Sequence, residues 1–245
     1  MNSSILDRMH GDILHITLNE PQTGNAMTND MAAHLTSLLE GAAERARLVV
    51  LRAAGDDFCV GRSSMGRPRD SRPEALALRR TNDVVFQCYG AFRRCPLPVI
   101  AVVQGKALGF GCSLAAAADI TVAADNATFQ LPEFGHNIMP TMAMSALLGR
   151  VSEKALMYIT YSTAMLDAAR ALQLGIVSEV APAASLDDAV DRLCAGLLKA
   201  PQPAVLAVKE FARSAPAMNI DHAIQYARSL HATVNSSSEM RREKQ

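Results

Sequence analysis

The chain has no tryptophan, and only four tyrosines and seven phenylalanines among its 245 residues. That is too few rings for the stacking platforms that hold single-stranded nucleic acid. Twenty-four basic residues are cancelled by twenty-four acidic ones, so no global field would draw the protein to nucleic acid or to an anionic membrane, and neither is expected as a partner. The cysteines, Cys59, Cys88, Cys95, Cys112 and Cys194, show neither CxxC pairs nor a framework spacing, and an odd number suits a reducing compartment. They read as small buried hydrophobes. Neither they nor the histidines have ligand spacing, so no metal is expected. No segment approaches the ~20 consecutive apolar residues of a membrane span, and the opening MNSSILDRMHGD has no apolar run behind positive charge. A soluble, cytoplasmic protein is expected, large enough for one α/β domain with a helical appendage.

What is present centres on residues 98–119, PVIAVVQGKALGFGCSLAAAAD. Residues 98–103 lack polar alternation, which suits a strand buried on both faces of a parallel sheet. Gly105, Gly109 and Gly111 then punctuate a turn, and a small-residue helix opens at about Gly111. The first N–H groups of such a helix have no intrahelical partner. Two readings follow: a turn needed for tight packing, or one presenting N–H donors to a developing oxyanion.

Around this stretch the periodicities predict strands at residues 13–18 and 48–51, with a helix between them that Thr28 would cap and that would bury Met31, Leu35, Leu38 and Leu39. A long helix over residues 73–94 is expected to present Leu76, Val84, Val85, Phe86 and Phe92 as its apolar side. The loop before it carries Arg62, Arg67, Arg69 and Arg72, fork-shaped donors that suit phosphate oxygens or simply a solvated loop. From residue 151 the chain turns helical. Ser185 and Asp188 are placed to cap one helix, Lys209 is expected to face solvent, and Ile224, Ala227, Leu230 and Val234 form a stripe on the last, before a polar end.

The central stretch, its continuation ITVAADNATFQLPEFG, the early LNEPQTGNAM and the segment VVLRAAGDDFCVGRSS together resemble the enoyl-CoA hydratase/isomerase (crotonase) superfamily over most of residues 10–215. The resemblance implies an α/β, crotonase-like (ClpP/crotonase) spiral of ββα units, with a core at residues 1–190 and a C-terminal helical trimerisation region at residues 191–245. It implies an acyl-CoA thioester substrate, with coenzyme A arriving as part of that substrate and no separate cofactor. It further implies assembly as a homotrimer or a dimer of trimers.

Carried over residue by residue, the resemblance makes the backbone N–H groups of Arg62, after Gly61, and of Phe110, between Gly109 and Gly111, the two donors to the thioester oxygen. Arg67 and His136 fall beside the coenzyme A and acyl site. Hydratases of the family use two glutamates, and here the first position holds Ser113 while the second is kept as Glu133. A single carboxylate can move a proton between two carbons of one substrate, so double-bond isomerisation is the favoured expectation. Hydration or hydratase-lyase cleavage, with Ser113 placing a water, is the alternative, because hydratase-lyase members carry serine there. Ser113 also reads as a helix N-terminal residue bonding its own backbone. The neighbours Leu131, Phe134, Ile138 and Met139 are expected to form an apolar pocket that raises the Glu133 pKa. A catalytically weak binding or assembly protein, and a decarboxylase, are the readings from other classes.

Overall fold

The computed structural model describes residues 4–63 and 74–241. The chain begins with a strand that the sequence reading did not anticipate, β1 (Ile5–His10), which pairs antiparallel with β2 (Ile13–Leu18). Helix α1 (Asn29–Glu40) starts where Thr28 Oγ1 accepts from Met31 N at 3.1 Å, and it buries Met31, Ala32, Leu35 and Leu39. β3 (Leu48–Ala53) then lies parallel to β2.

Next come α2 (Ala75–Arg94), β4 (Val99–Val103), β5 (Lys106–Leu108), α3 (Phe110–Ala117), β6 (Ile120–Ala124) and β7 (Thr128–Gln130). They are followed by α4 (Thr141–Leu147), α5 (Glu153–Ser162), β8 (Leu166–Asp167), α6 (Ala168–Leu174) and β9 (Glu179–Ala181). Helices α7 (Leu186–Lys199), α8 (Gln202–Ser214) and α9 (Ile220–Asn235) complete the described chain.

Six strands make a sheet in the order β1-β2-β3-β4-β6-β9, and β5-β7-β8 make a second, smaller one. Each of β4 and β6 passes into a short strand of the small sheet and then towards a helix, which is the expected ββα spiral. Period-two alternation, with both faces covered, explains why residues 48–51 of β3 and all of β4 are apolar. Val49, Leu51, Val99, Ala101 and Val103 face the main core, whereas Leu48, Val50, Ile100 and Val102 meet Leu186, Ala189, Val190 and Cys194 of α7 on the other face. Residue 190, where core and helical region were expected to divide, thus lies inside a helix that covers the sheet. All five cysteines are buried and free, and burial pushes the Cys59 and Cys112 thiols up to about 12.

Several local expectations are corrected. α2 buries Val85, Cys88, Tyr89, Ala91 and Phe92, while Leu76 and Phe86 are exposed. Its buried side is therefore set by what it meets on α1 and α3, not by its largest apolar residues. Ser185 does not cap α7; its hydroxyl turns back to the Pro182 carbonyl. Lys209 does not face solvent: only 8% exposed, its ammonium donates to the carbonyls of Phe92 (3.0 Å) and Leu97 (2.7 Å) and pairs with Asp119 at 2.5 Å. Arg150 reaches the other oxygen of Asp119 at 3.2 Å, so α8 is tied to the base of the sheet by a buried lysine whose charge is paired and hydrogen-bonded.

Candidate functional site

Three segments converge at the N-terminus of α3. The first is the stretch after β3, held in place by Asn25. That side chain is fully buried, donates to the carbonyls of Ala54 (2.8 Å) and Asp57 (2.9 Å), and accepts from Glu20 N at 2.8 Å. Beyond it, Cys59 pairs with Ala107 of β5 through Cys59 N to Lys106 O (3.0 Å) and Leu108 N to Cys59 O (2.9 Å). Three residues further along each segment stand Arg62 and Phe110. Arg62 forms a bridge to Met27, in which Gly61 O accepts from Met27 N at 2.9 Å and Ser63 N donates to Met27 O at 2.8 Å. In such a bridge the flanking groups make the bonds, and the N–H and carbonyl of Arg62 itself face the opposite way.

The second segment is the glycine turn. Gly109 has a φ of +50°, in the left-handed region that favours glycine, and Phe110 directly after it begins the helix. The first bond of α3 is Ser113 N to Gly109 O at 3.0 Å. The Phe110 N–H precedes it and meets no acceptor among the described residues. Gly111 is required for a different reason: a Cβ there would stand 2.1 Å from the Cys59 carbonyl oxygen. The first segment therefore lies directly against the first turn of α3, bringing the backbones of Arg62 and Phe110 to one place.

The third segment is the turn Glu133–His136 after β7. Glu133 leans on the glycine turn, since a Cβ on Gly109 would lie 3.0 Å from its Oε1. Its other oxygen, Oε2, is buried and has no hydrogen-bond partner among the described residues. Burial pushes this carboxyl above its ordinary value of 4.5, opposed by its own backbone N–H and by nearby His136. The apolar surroundings differ from those expected. Leu131 is buried, but Phe134, Ile138 and Met139 are exposed, and the groups around the carboxylate are Gly109, Pro132, Cys112 and Tyr89. An acceptor oxygen with no donor among the described residues, half-buried beside helix-opening N–H groups, can take a proton from whatever occupies the site.

Ser113 is fully buried, and its hydroxyl donates to Gly109 O at 2.9 Å, bonding back to its own helix. His136 is exposed on the rim. The Arg62 guanidinium reaches Asn29 Oδ1 at 2.8 Å and Asn82 Oδ1 at 3.2 Å, holding α1 and α2 beside the site. Arg67, with Arg69 and Arg72, lies outside the described residues.

Tyr89 escaped sequence reasoning. Its ring packs on that of Phe110, with centroids 5.0 Å apart, and its phenol interacts with the Ser113 hydroxyl and feels the charge of Glu133. Burial holds that phenol well above its ordinary value of 10.0, so it keeps its proton through neutral pH. Its spacing of four from Val85 and three from Phe92 was a signal for burial, but only the fold brings α2 against the opening of α3.

Comparison with known proteins agrees with this geometry. The family model described as enoyl-CoA hydratase/isomerase matches residues 8–244. A probable enoyl-CoA hydratase of Rhodobacter capsulatus is 31% identical over 196 residues, covering 80% of this chain and 75% of that protein. A crystal structure of an enoyl-CoA hydratase from Mycobacterium smegmatis superposes with a TM-score of 0.90 at 27% identity, covering 97% of this chain and 93% of the other. A structure from Thermobifida fusca, described as a putative enoyl-CoA hydratase in complex with acetoacetyl-CoA, gives a TM-score of 0.83 at 27% identity over 94% of each chain.

Proposed function

The chain belongs to the enoyl-CoA hydratase/isomerase family, and from that premise we propose that it moves a double bond within an enoyl-CoA thioester by passing a proton between two carbons. The thioester oxygen sits between the backbone N–H groups of Arg62 and Phe110, which stabilise the enolate formed when a proton leaves the carbon beside the carbonyl. Glu133 takes that proton on Oε2, which has no partner among the described residues, and returns it two carbons along the chain. The observation that carries this reading is the single carboxylate: the position where a second would stand is Ser113, and its hydroxyl is already committed to Gly109 O.

Addition of water is the second reading, favoured by the hydratase names of the similar proteins. It uses the same two N–H donors and Glu133. Assembly into a trimer through residues 191–245 belongs to the same proposal. It is supported by α9, none of whose residues are buried although Ile220 and Ile224 lie on it.

Product analysis by NMR in deuterated water separates the two reactions. With 3-enoyl-CoA the expected outcome is 2-enoyl-CoA and no 3-hydroxy product, with deuterium entering only where the proton on Glu133 exchanges with solvent before its return. Accumulation of 3-hydroxyacyl-CoA from 2-enoyl-CoA would instead establish hydration, and turnover of neither thioester would remove the enzymatic reading.

The pH dependence follows from the raised carboxyl. A base must be ionised to act, so kcat/KM is expected to fall as pH drops through the Glu133 pKa, giving an acid limb centred above 4.5. The sign for stability is opposite. The folded state holds this proton more tightly than the unfolded chain, so the contribution of Glu133 is fully present below its unfolded value and is lost as pH rises through its folded one. A pH–rate profile and melting curves of the wild type against Glu133→Gln test both limbs.

A further inference from the structure

Beside the proposed reaction centre, α2, the end of α3 and α4 enclose a cavity of about 190 Å³ that no step of the proposed reaction uses. It is lined by Tyr89, whose ring packs on that of Phe110 with centroids 5.0 Å apart. One helical turn further along α2, about 6 Å away by the rise of a helix, Arg93 lines the same cavity together with Ser145 and Arg150.

The charges there do not balance. Arg150 is paired with Asp119 at 3.2 Å, but Arg93 forms no ion pair among the described residues, and its guanidinium donates only to the Leu148 carbonyl. Arg93 and Arg150 also line a neighbouring cavity of about 460 Å³, whose wall adds Lys209 and Arg213. Among the described residues four cations therefore stand around the two cavities, against Asp119 as the one acid lining them. Unbalanced charge of one sign in a concave site raises the local concentration of the opposite charge, and a guanidinium is suited to a carboxylate that it can meet with two N–H groups.

We propose that the acyl group of the preferred substrate ends in a free carboxylate, a short dicarboxylic acid joined to coenzyme A at one end, and that Arg93 selects it. This rests on the reading given under the proposed function. The thioester end lies at Arg62 and Phe110, the chain passes Tyr89, and the distal carboxylate reaches Arg93 at the far end of the small cavity. Ser145 and Arg150 supply the remaining polar surface.

Calorimetric titration with adipyl-CoA, hexanoyl-CoA and coenzyme A tests this without turnover. Adipyl-CoA is expected to bind about tenfold or more tightly than hexanoyl-CoA, a difference of about 1.4 kcal/mol. Arg93→Met should remove that preference while leaving hexanoyl-CoA affinity unchanged, and Arg93→Lys should restore part of it. Should Arg93→Met fail to fold, Ser145→Asp, which puts a negative charge in the same cavity, should weaken adipyl-CoA alone. Equal affinity for the two thioesters, or a preference that survives Arg93→Met, overturns the inference and leaves the proposed function standing. Failure to bind any of the three ligands overturns the proposed function and this inference with it.

Discussion

Glu133→Gln is expected to lower kcat by about 10²–10⁴-fold, the range over which a positioned acid or base contributes, with a much smaller change in KM. The substitution keeps the shape of the side chain. It therefore leaves the contact with Gly109 intact and removes only the capacity to accept a proton on Oε2. Stability should move the other way. Above its raised pKa the wild type holds an ionised carboxylate with one buried oxygen that has no hydrogen-bond partner among the described residues, and burying charge without a partner is unfavourable, so in that range the amide should melt at the same temperature or slightly higher. Loss of turnover with an unchanged or raised melting temperature separates a chemical role from a structural one. A variant that kept wild-type turnover would move the proton transfer to another group.

Parts of this arrangement were legible in the sequence because they depend on local chemistry. The unbroken apolar run of residues 99–103 marks a strand covered on both faces, and that is how β4 lies. The alternation at residues 13–18 and the Thr28 cap describe β2 and the start of α1. The small sheet was not legible, because strands of two or three residues such as β5, β7 and β8 are too short to show a period.

Long-range partners account for the other differences. Nothing near Lys209 in the chain announces that its ammonium will be received by carbonyls more than a hundred positions earlier, at Phe92 and Leu97. Its helix therefore looked like one with an exposed lysine. Tyr89 is the same case at the site: its neighbours Phe110 and Ser113 are local to each other but not to it. The raised Glu133 pKa was anticipated for the wrong reason. The apolar residues that follow it in sequence are exposed, and the contact that covers the carboxylate is with the glycine turn.

Gly111→Ala is the substitution expected to damage both stability and activity. The added methyl would lie 2.1 Å from the Cys59 carbonyl oxygen, a backbone atom that cannot rotate aside. That oxygen already accepts from Leu108 N at 2.9 Å, so relief requires the segment carrying Arg62 to move away from α3. Overpacking of this kind costs about 1–3 kcal/mol, or several degrees in melting temperature for a chain of this size. The displacement separates the two N–H groups proposed to hold the enolate oxygen, and loss of one such donor lowers turnover by about 10²–10³-fold. Gly196→Ala is the matching control: it lies in α7 with nothing within 4 Å of the new methyl, so alanine there should stabilise by about 0.5–1 kcal/mol and leave turnover alone. Urea unfolding and steady-state rates on the two variants test the close approach. Should Gly111→Ala retain full activity, the backbone of residues 59–62 would not be what places the second donor.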